Sequence, residues 1–97
     1  MPTYITLINW TDQGVKNYKD TVDRYEAARQ TLGQTGASFK DAYWTLGPYD
    51  IVGILDAPDD ESAMAALLAV GSQGNIRTTT MRAFSADETR GVIGRGG

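Results

Sequence analysis

The amino-acid sequence predicts an α+β fold of the ferredoxin-like type, with elements in the order β-α-β-β-α-β. Strand-like runs rich in β-branched and aromatic residues alternate with two helical patterns, a tight turn separates the two middle strands, and glycines close both helices. This order gives a four-stranded antiparallel sheet with both helices on one face. We expect one domain over residues 1–85 and a flexible polar tail over residues 86–97.

The first half of the chain predicts one strand and one interrupted helix. Residues 3–10 are rich in Tyr, Ile, Thr and Trp, as strands are, and Thr11 with Asp12 offers a helix start. Gly14 and the pair Asp20–Thr21 indicate a break in that helix, with Asp20 capping its second part, and Gly33 ends it. Apolar residues recur at helical spacing at Val15, Tyr18, Val22, Tyr25, Ala28 and Leu32.

The second half predicts three strands and one helix. Residues 37–46 and 51–56 form a strand pair around the turn 47–50, where Pro48 suits the second position of a type I turn. Asp59 or Asp60 caps the following helix, which Gly71 and Gly74 close, and residues 75–84 form the last strand. The apolar stripe of that helix is expected at Met64, Leu67, Leu68 and Gly71.

Composition excludes several classes of function. The 97 residues contain neither cysteine nor histidine, so disulfides, thiolate catalysis and imidazole ligation of haem or zinc are ruled out. The formal net charge of -3 disfavours nucleic acid and anionic membranes as partners. No apolar run is long enough for a membrane span, and no signal peptide opens the chain, so we expect a cytoplasmic protein with no metal and no cofactor.

The alternation within two strands predicts self-association. In the first strand Ile5 and Leu7 face away from Tyr4 and Ile8, and in the third strand Val52 and Ile54 face away from Ile51 and Leu55. Both faces of the sheet are therefore apolar, whereas two helices can cover only one. We expect a homodimer that buries the second face.

Four runs of residues, taken together, resemble a known family. They are Tyr43-Trp44-Thr45-Leu46, Gly47-Pro48-Tyr49-Asp50, Ala57-Pro58-Asp59-Asp60-Glu61 and Gly71-Ser72-Gln73-Gly74-Asn75-Ile76-Arg77-Thr78-Thr79-Thr80. They are similar to the GYD domain proteins, although one residue here separates the glycine from the Tyr-Asp pair. The resemblance implies a dimeric α+β barrel and supplies no catalytic residues. Proteins of this architecture include cofactor-independent monooxygenases, haem-degrading enzymes, dismutase-like enzymes and regulatory effector-binding domains, among which fold alone does not choose.

The expected ligand-binding residues are Trp10, Tyr49, Asp50, Arg77 and Thr79. An aspartate beside an aromatic ring can act as a base, and an arginine can clamp a carboxylate or phosphate. Each has a structural alternative, because Asp50 fits a turn, large aromatic rings fit a core, and Arg77 and Thr79 fit an edge strand. The carboxylates at residues 56–61 suit helix capping better than metal binding.

The leading functional hypothesis is a small-molecule-binding or regulatory domain, non-enzymatic and homo-oligomeric. The first alternative is a cofactor-independent enzyme, monooxygenase or isomerase-like, with Asp50 as base and Tyr49 or Arg77 stabilising an oxyanion on an aromatic or polyketide-like substrate. The second alternative is a structural assembly subunit.

Overall fold

The computed structural model describes residues 1–96 and confirms the ferredoxin-like order of elements. The sheet has four antiparallel strands in the order β2-β3-β1-β4. The elements are β1 Thr3–Trp10, α1 Asp12–Lys16, a 3₁₀ turn Tyr18–Asp20, α2 Thr21–Gly33, β2 Ser38–Trp44, β3 Ile51–Asp56, α3 Asp60–Gly71, β4 Ile76–Ala83 and α4 Ala86–Arg95. The two central strands are thus β3 and β1.

The register of the sheet aligns one buried row of side chains beneath the helices. Thr6 of β1 pairs with Gly53 of β3 and with Thr80 of β4. Thr6 is fully buried, and its hydroxyl accepts a hydrogen bond from the Thr80 hydroxyl at 2.9 Å. A Cβ at Gly53 would crowd both Thr6 and Phe39. Glycine at this position therefore lets the Phe39 ring pack close to the sheet.

The core lies between the sheet and helices α2 and α3. Its buried members are Tyr4, Leu32, Ala37, Leu55, Ala57, Ala63 and Ala66, with Phe39 and Val70 packed against them. Within residues 1–96, Leu32 and Leu55 are the large aliphatic side chains that are buried completely. The core is therefore small, as the short chain requires.

The prediction of which residues form the apolar stripe of α3 is wrong in part. Helix α3 buries Ala63 and Ala66, whereas Met64 and Leu68 are 63% and 62% exposed. Small side chains let α3 approach its neighbours closely, so the larger residues turn outward. On the first helical segment Val15, Tyr18 and Val22 are likewise exposed, while Tyr25, Ala28 and Leu32 face inward.

The predicted break in the first helix is confirmed, and its cause is a close backbone contact. The Thr11 hydroxyl caps α1 by accepting from the Gly14 N–H at 3.1 Å, and the Thr11 N–H donates to the Asn75 carbonyl at 3.1 Å. Gly14 lies so close to β4 that a Cβ there would overlap the Asn75 carbonyl oxygen. Asp20 precedes α2 but makes no side-chain capping bond. Asp59 does cap α3, accepting from the Ser62 N–H at 2.7 Å.

The polar segment expected as a flexible tail contains a helix, α4. Ser85 and Glu88 form a reciprocal capping box at its start, with donor–acceptor distances of 3.1 and 2.9 Å. The Ser-x-x-Glu spacing predicts the start of a helix, and the prediction of a flexible tail did not take it into account. Helix α4 buries none of its residues. The division of the chain into a domain over residues 1–85 and a tail over residues 86–97 stays a prediction.

Tyr4 anchors the start of α3 to the sheet. It is buried to 5% exposure, and its hydroxyl donates a hydrogen bond to Asp60 Oδ1. The Arg82 guanidinium lies 5.8 Å from the Tyr4 ring centroid and 4.3 Å from that of Phe84. Burial is the largest cause, and the hydrogen bond to Asp60 the next, of a rise in the pKa of Tyr4 to about 12.

We expect Tyr4 to make the fold sensitive to alkali. The pKa of Tyr4 rises from 10.0 in the unfolded chain to about 12 in the fold. Its contribution to the free energy of unfolding is therefore complete below pH 10 and is lost between pH 10 and 12. The measurement is the melting temperature across this window for the wild type and for Tyr4→Phe, which cannot ionise. The wild type should lose more stability than Tyr4→Phe; equal losses would contradict the assignment.

We expect Gly14→Ala to destabilise the protein by about 1–3 kcal/mol or more, because the added methyl group must displace the Asn75 backbone. Gly33→Ala is the matched control. Gly33 is the last residue of α2 and has open space around its Cα, so alanine there should be neutral or stabilise by up to about 1 kcal/mol. Urea unfolding measures both changes, and similar values for the two variants would rule out the close contact.

Candidate functional site

A cavity of about 50 Å³ lies between α2 and the sheet, close to the end of β1. Most of its wall is apolar, and side chains from all four strands contribute. The lining residues are Ile8, Trp10, Thr21, Arg24, Tyr25, Ala28, Phe39, Ala42, Ile51, Val70, Gln73, Asn75 and Ile76. A few buried polar groups in a mostly apolar cavity are typical of small-molecule sites.

Aromatic rings form the wall on the β2 side. The Tyr25 ring packs against Phe39 at 5.3 Å between centroids and against Trp44 at 5.5 Å in an edge-on arrangement. The Trp44 indole donates to the Thr21 hydroxyl at 3.0 Å, which fixes β2 to the start of α2. Tyr43, the preceding residue, pairs with Val52 and lies on the other face of β2. These contacts hold the wall in place.

Two of the residues that line the cavity carry N–H donor groups of interest. The indole nitrogen of Trp10 is buried and has no hydrogen-bond partner in the part of the chain that the structure describes. The Arg24 guanidinium donates to the carbonyls of Asn17 at 2.6 Å and Gly14 at 3.1 Å. Within residues 1–96 no carboxylate lies within 4.0 Å of that guanidinium. The indole N–H is therefore unsatisfied, and the guanidinium has no anionic partner in that range.

Asp50 binds backbone groups. Its Oδ2 accepts from the Trp10 N–H at 2.9 Å, its own N–H donates to the Ile8 carbonyl at 2.9 Å, and its carbonyl accepts from the Thr45 N–H at 2.8 Å. The carboxylate thus satisfies the last donor of β1. Tyr49 lies beside it in the β2–β3 turn, and its carbonyl accepts from the Thr45 hydroxyl at 2.6 Å.

Arg77 and Thr79 lie on the sheet face turned away from the helices. They pair with Asn9 and Leu7 of β1, on the opposite side of the sheet from Trp10. The structure therefore separates the five expected site residues into three places. Trp10 lines the cavity, Tyr49 and Asp50 lie in the turn, and Arg77 and Thr79 lie on the far face. Small-molecule binding by these residues stays a prediction.

The face without helices, here called the open sheet face, is apolar at its centre. Leu7 lies between Val52 of β3 and Thr79 of β4, and Ile5 lies between Ile54 and Met81. The four aliphatic side chains Ile5, Leu7, Val52 and Ile54 are half-buried, whereas Thr79 is exposed and Met81 and Tyr43 are 45% and 59% exposed. The expectation that both faces of the sheet are apolar is confirmed by this arrangement.

Arg24 is a charged cavity residue that no sequence pattern indicated. It sits among charged residues of a helix, where an arginine ordinarily faces solvent, and its position depends on how the break before α2 turns the chain. The one sequence signal that bears on it is Gly14, because only a tight junction brings that carbonyl within reach of the guanidinium. The role of the junction becomes visible only in three dimensions.

The fold is that of a small α+β domain of the ferredoxin-like type, and comparison with known proteins gives the family. The GYD domain profile matches residues 4–93, and the chain therefore belongs to the GYD domain family. The match includes most of α4, beyond the expected domain end at residue 85.

A named protein and a solved structure, both from Thermus thermophilus, are similar to this chain. One, named glutamine synthetase and cystathionine beta-lyase binding protein, is 33% identical over 85 residues, covering 87% of this chain and 90% of that protein. The other is the crystal structure of TTHA0845, with a TM-score of 0.58 and 24% identity, covering 89% of this chain and 96% of that one. The second likeness supports the fold alone.

Two further observations concern residues 1–96. None of the helices in this range is both long and apolar enough to cross a membrane. The same residues contain no group of three or more acidic side chains placed to hold a metal ion together.

We expect Asp50→Ala to cost about 1–3 kcal/mol, because it leaves the Trp10 N–H without its acceptor. Asp50→Asn keeps a side-chain oxygen and should cost less than half as much. Urea unfolding of both variants measures the difference. A loss with asparagine equal to that with alanine would mean that the negative charge, and not the hydrogen bond, is what the fold requires.

Proposed function

We propose that this chain is a homodimeric regulatory protein that acts by binding an enzyme. The observation that carries the proposal is the open sheet face, an apolar surface that the chain's own α2 and α3 cannot reach. Cytoplasmic location remains a prediction.

A second copy of the chain is the occupant that suits this face best. A twofold axis through the sheet would bring Leu7 and its neighbours onto the same residues of the partner, as self-complementary interfaces require. Burial of apolar surface contributes about 25 cal/mol per Å², so a sheet-sized contact would favour association strongly. Arg77 and Thr79 would then lie at the subunit boundary.

Support for an enzyme partner comes from the Thermus thermophilus relative, whose name describes binding to glutamine synthetase and cystathionine beta-lyase. The alignment covers 90% of that protein, so a shared mode of action is reasonable. In this chain Met64 and Leu68 lie one turn apart on the outer surface of α3, and both are more than half exposed. We assign the enzyme contact to this apolar stripe, which stays free when the open sheet face is covered.

Asp50 bears on the enzyme alternative. A base must reach the substrate, but this carboxylate already accepts the Trp10 N–H and joins the ends of β1 and β3. The arrangement favours a structural role for Asp50 and so favours a binding protein. The assembly-subunit alternative predicts the same dimer but no enzyme partner.

Replacement of leucine by glutamate at three separate positions tests the proposal. Leu7→Glu places a charge on the open sheet face, Leu68→Glu places one on α3, and Leu46→Glu is the matched control in the β2–β3 turn, where the leucine is 103% exposed. We expect Leu7→Glu to be monomeric at micromolar concentration by light scattering, because each dimer would bury two unpaired charges. Leu46→Glu and Leu68→Glu should remain dimers.

The second measurement is binding to the glutamine synthetase and the cystathionine beta-lyase of the same host, by calorimetry with purified enzymes. Leu68→Glu should lose about tenfold or more in affinity for the bound enzyme, whereas Leu46→Glu should be unchanged. A monomeric wild-type protein would contradict the proposed dimer. A wild-type dimer that binds neither enzyme would favour the assembly subunit.

A further inference from the structure

We infer that helix α4 packs its apolar side on a second copy of the chain, at the rim of that copy's open sheet face. This contact deepens the proposed function and rests on the homodimer proposed there, to which it adds a reciprocal pair of helices. Three observations carry it: an uncovered apolar side of α4, a helix too short to be stable by itself, and an open sheet face too small for a stable dimer.

Helix α4 has one apolar side that is uncovered in the part of the chain that the structure describes. Ala86, Thr89, Val92 and Ile93 recur at steps of three and four residues and therefore lie along one side of the helix, here called the α4 face. Val92 and Ile93 are 51% and 69% exposed, and no residue of the helix is buried. The charged side chains that lie off this face are Asp87, Glu88, Arg90 and Arg95.

Helix α4 extends away from its own domain. The chain is 51 Å long, whereas an eight-residue strand spans about 27 Å. Its radius of gyration is 14.5 Å, against about 12.5 Å for a compact chain of this length. Within residues 1–96, the ion pair of Glu88 with Arg82 of β4, at 3.9 Å, joins the first turn of α4 to another element. The α4 face is therefore accessible to another molecule.

Helix α4 has too little intrinsic stability to form without packing. It has ten residues, and isolated helices shorter than about 12–15 residues are marginal in water. Gly91 and Gly94 lie within it, and glycine is a poor helix former. The capping box of Ser85 and Glu88 stabilises its first turn alone. Because helices in proteins gain most of their stability from packing an amphipathic face, the α4 face requires a partner.

Interface area favours a second copy as this partner. Four strands about 4.8 Å apart and up to eight residues long give the open sheet face a footprint of about 500 Å². A stable interface buries about 800 Å² on each partner, so two sheets alone fall short. A ten-residue helix covers about 15 Å by about 10 Å. In a symmetric dimer each subunit gives one helix and receives one, which adds about 300 Å² per subunit and supplies the missing area.

The position of α4 suits this reciprocal contact. Helix α4 continues from β4, an edge strand that contributes Thr79 and Met81 to the open sheet face. It therefore begins at the rim of the surface that a second copy covers in the proposed dimer. Met81 on β4 and Tyr43 on β2 are 45% and 59% exposed at the two edges of that surface. They provide apolar side chains on which the α4 face of the other copy packs.

The test is the dimer dissociation constant of full-length variants, measured by analytical ultracentrifugation. Ile93→Gln removes apolar surface from the α4 face without lowering helix propensity, because glutamine is at least as good a helix former as isoleucine. We expect its dissociation constant to rise about a hundredfold or more, since each dimer loses two such contacts. Ile93→Leu keeps the apolar surface and should dimerise like the wild type. Arg95→Gln, on the charged side of α4, is the matched control and should also dimerise normally.

Amide hydrogen exchange over residues 89–95 is the second measurement. In the wild type these amides should exchange slowly when the protein is concentrated and rapidly when it is diluted below its dimer dissociation constant, because the second copy stabilises the helix. Equally slow exchange in monomer and dimer would mean that α4 is stable by itself and would overturn the inference.

Four outcomes separate this contact from the proposed function. A dissociation constant for Ile93→Gln equal to that of the wild type would overturn the α4 contact and leave the homodimer in place. Normal dimerisation of Ile93→Gln with weaker binding to the enzyme would assign the α4 face to the enzyme and would overturn it as well. A monomeric wild type would contradict both. A monomeric Ile93→Gln beside a dimeric Leu7→Glu would support the α4 contact and contradict the contact between the two sheets.

Discussion

The structure depends on a sheet with two apolar faces and one layer of helices. Helices α2 and α3 cover the face that carries Thr6, and together they enclose a core with few large side chains. The other face, centred on Leu7, has no cover from these helices. A domain of this size has a small core, so a second copy covering the open sheet face, as we propose, would add to its stability. In the function we propose, the same constraint separates two surfaces, one for self-association and one for an enzyme partner.

The junction where β1 ends organises the cavity. The Thr11 hydroxyl donates to the Gly74 carbonyl at 2.6 Å and its N–H donates to the Asn75 carbonyl, so the chain turns sharply beside β4. Gly14 permits the close approach, and Arg24 then reaches back to the Gly14 carbonyl. Backbone packing at one glycine therefore decides where a charged side chain of α2 comes to lie.

Local signals predicted the elements well and their burial less well. The Asp59 cap, the break near Gly14 and the turn before Ile51 follow from residue types whose conformational preferences act over a few positions. The outward position of Leu68 does not, because either face of an almost wholly apolar helix can pack inward and the alanine face allows the closer approach. Helix α4 was predictable from Ser85 and Glu88, but its polar composition suggested a tail.

Short runs of residues were enough to predict the order of elements, the family and the two apolar faces of the sheet, because strand alternation and helix caps are local patterns. Which candidate residues share a site depended on packing in three dimensions. Trp10 and Arg77 are both strand residues near strand ends, yet opposite pleats place them on opposite faces of the sheet. Arg24 and Trp10 line one cavity only because α2 folds over β1, since residues on separate elements meet through packing that no local pattern encodes.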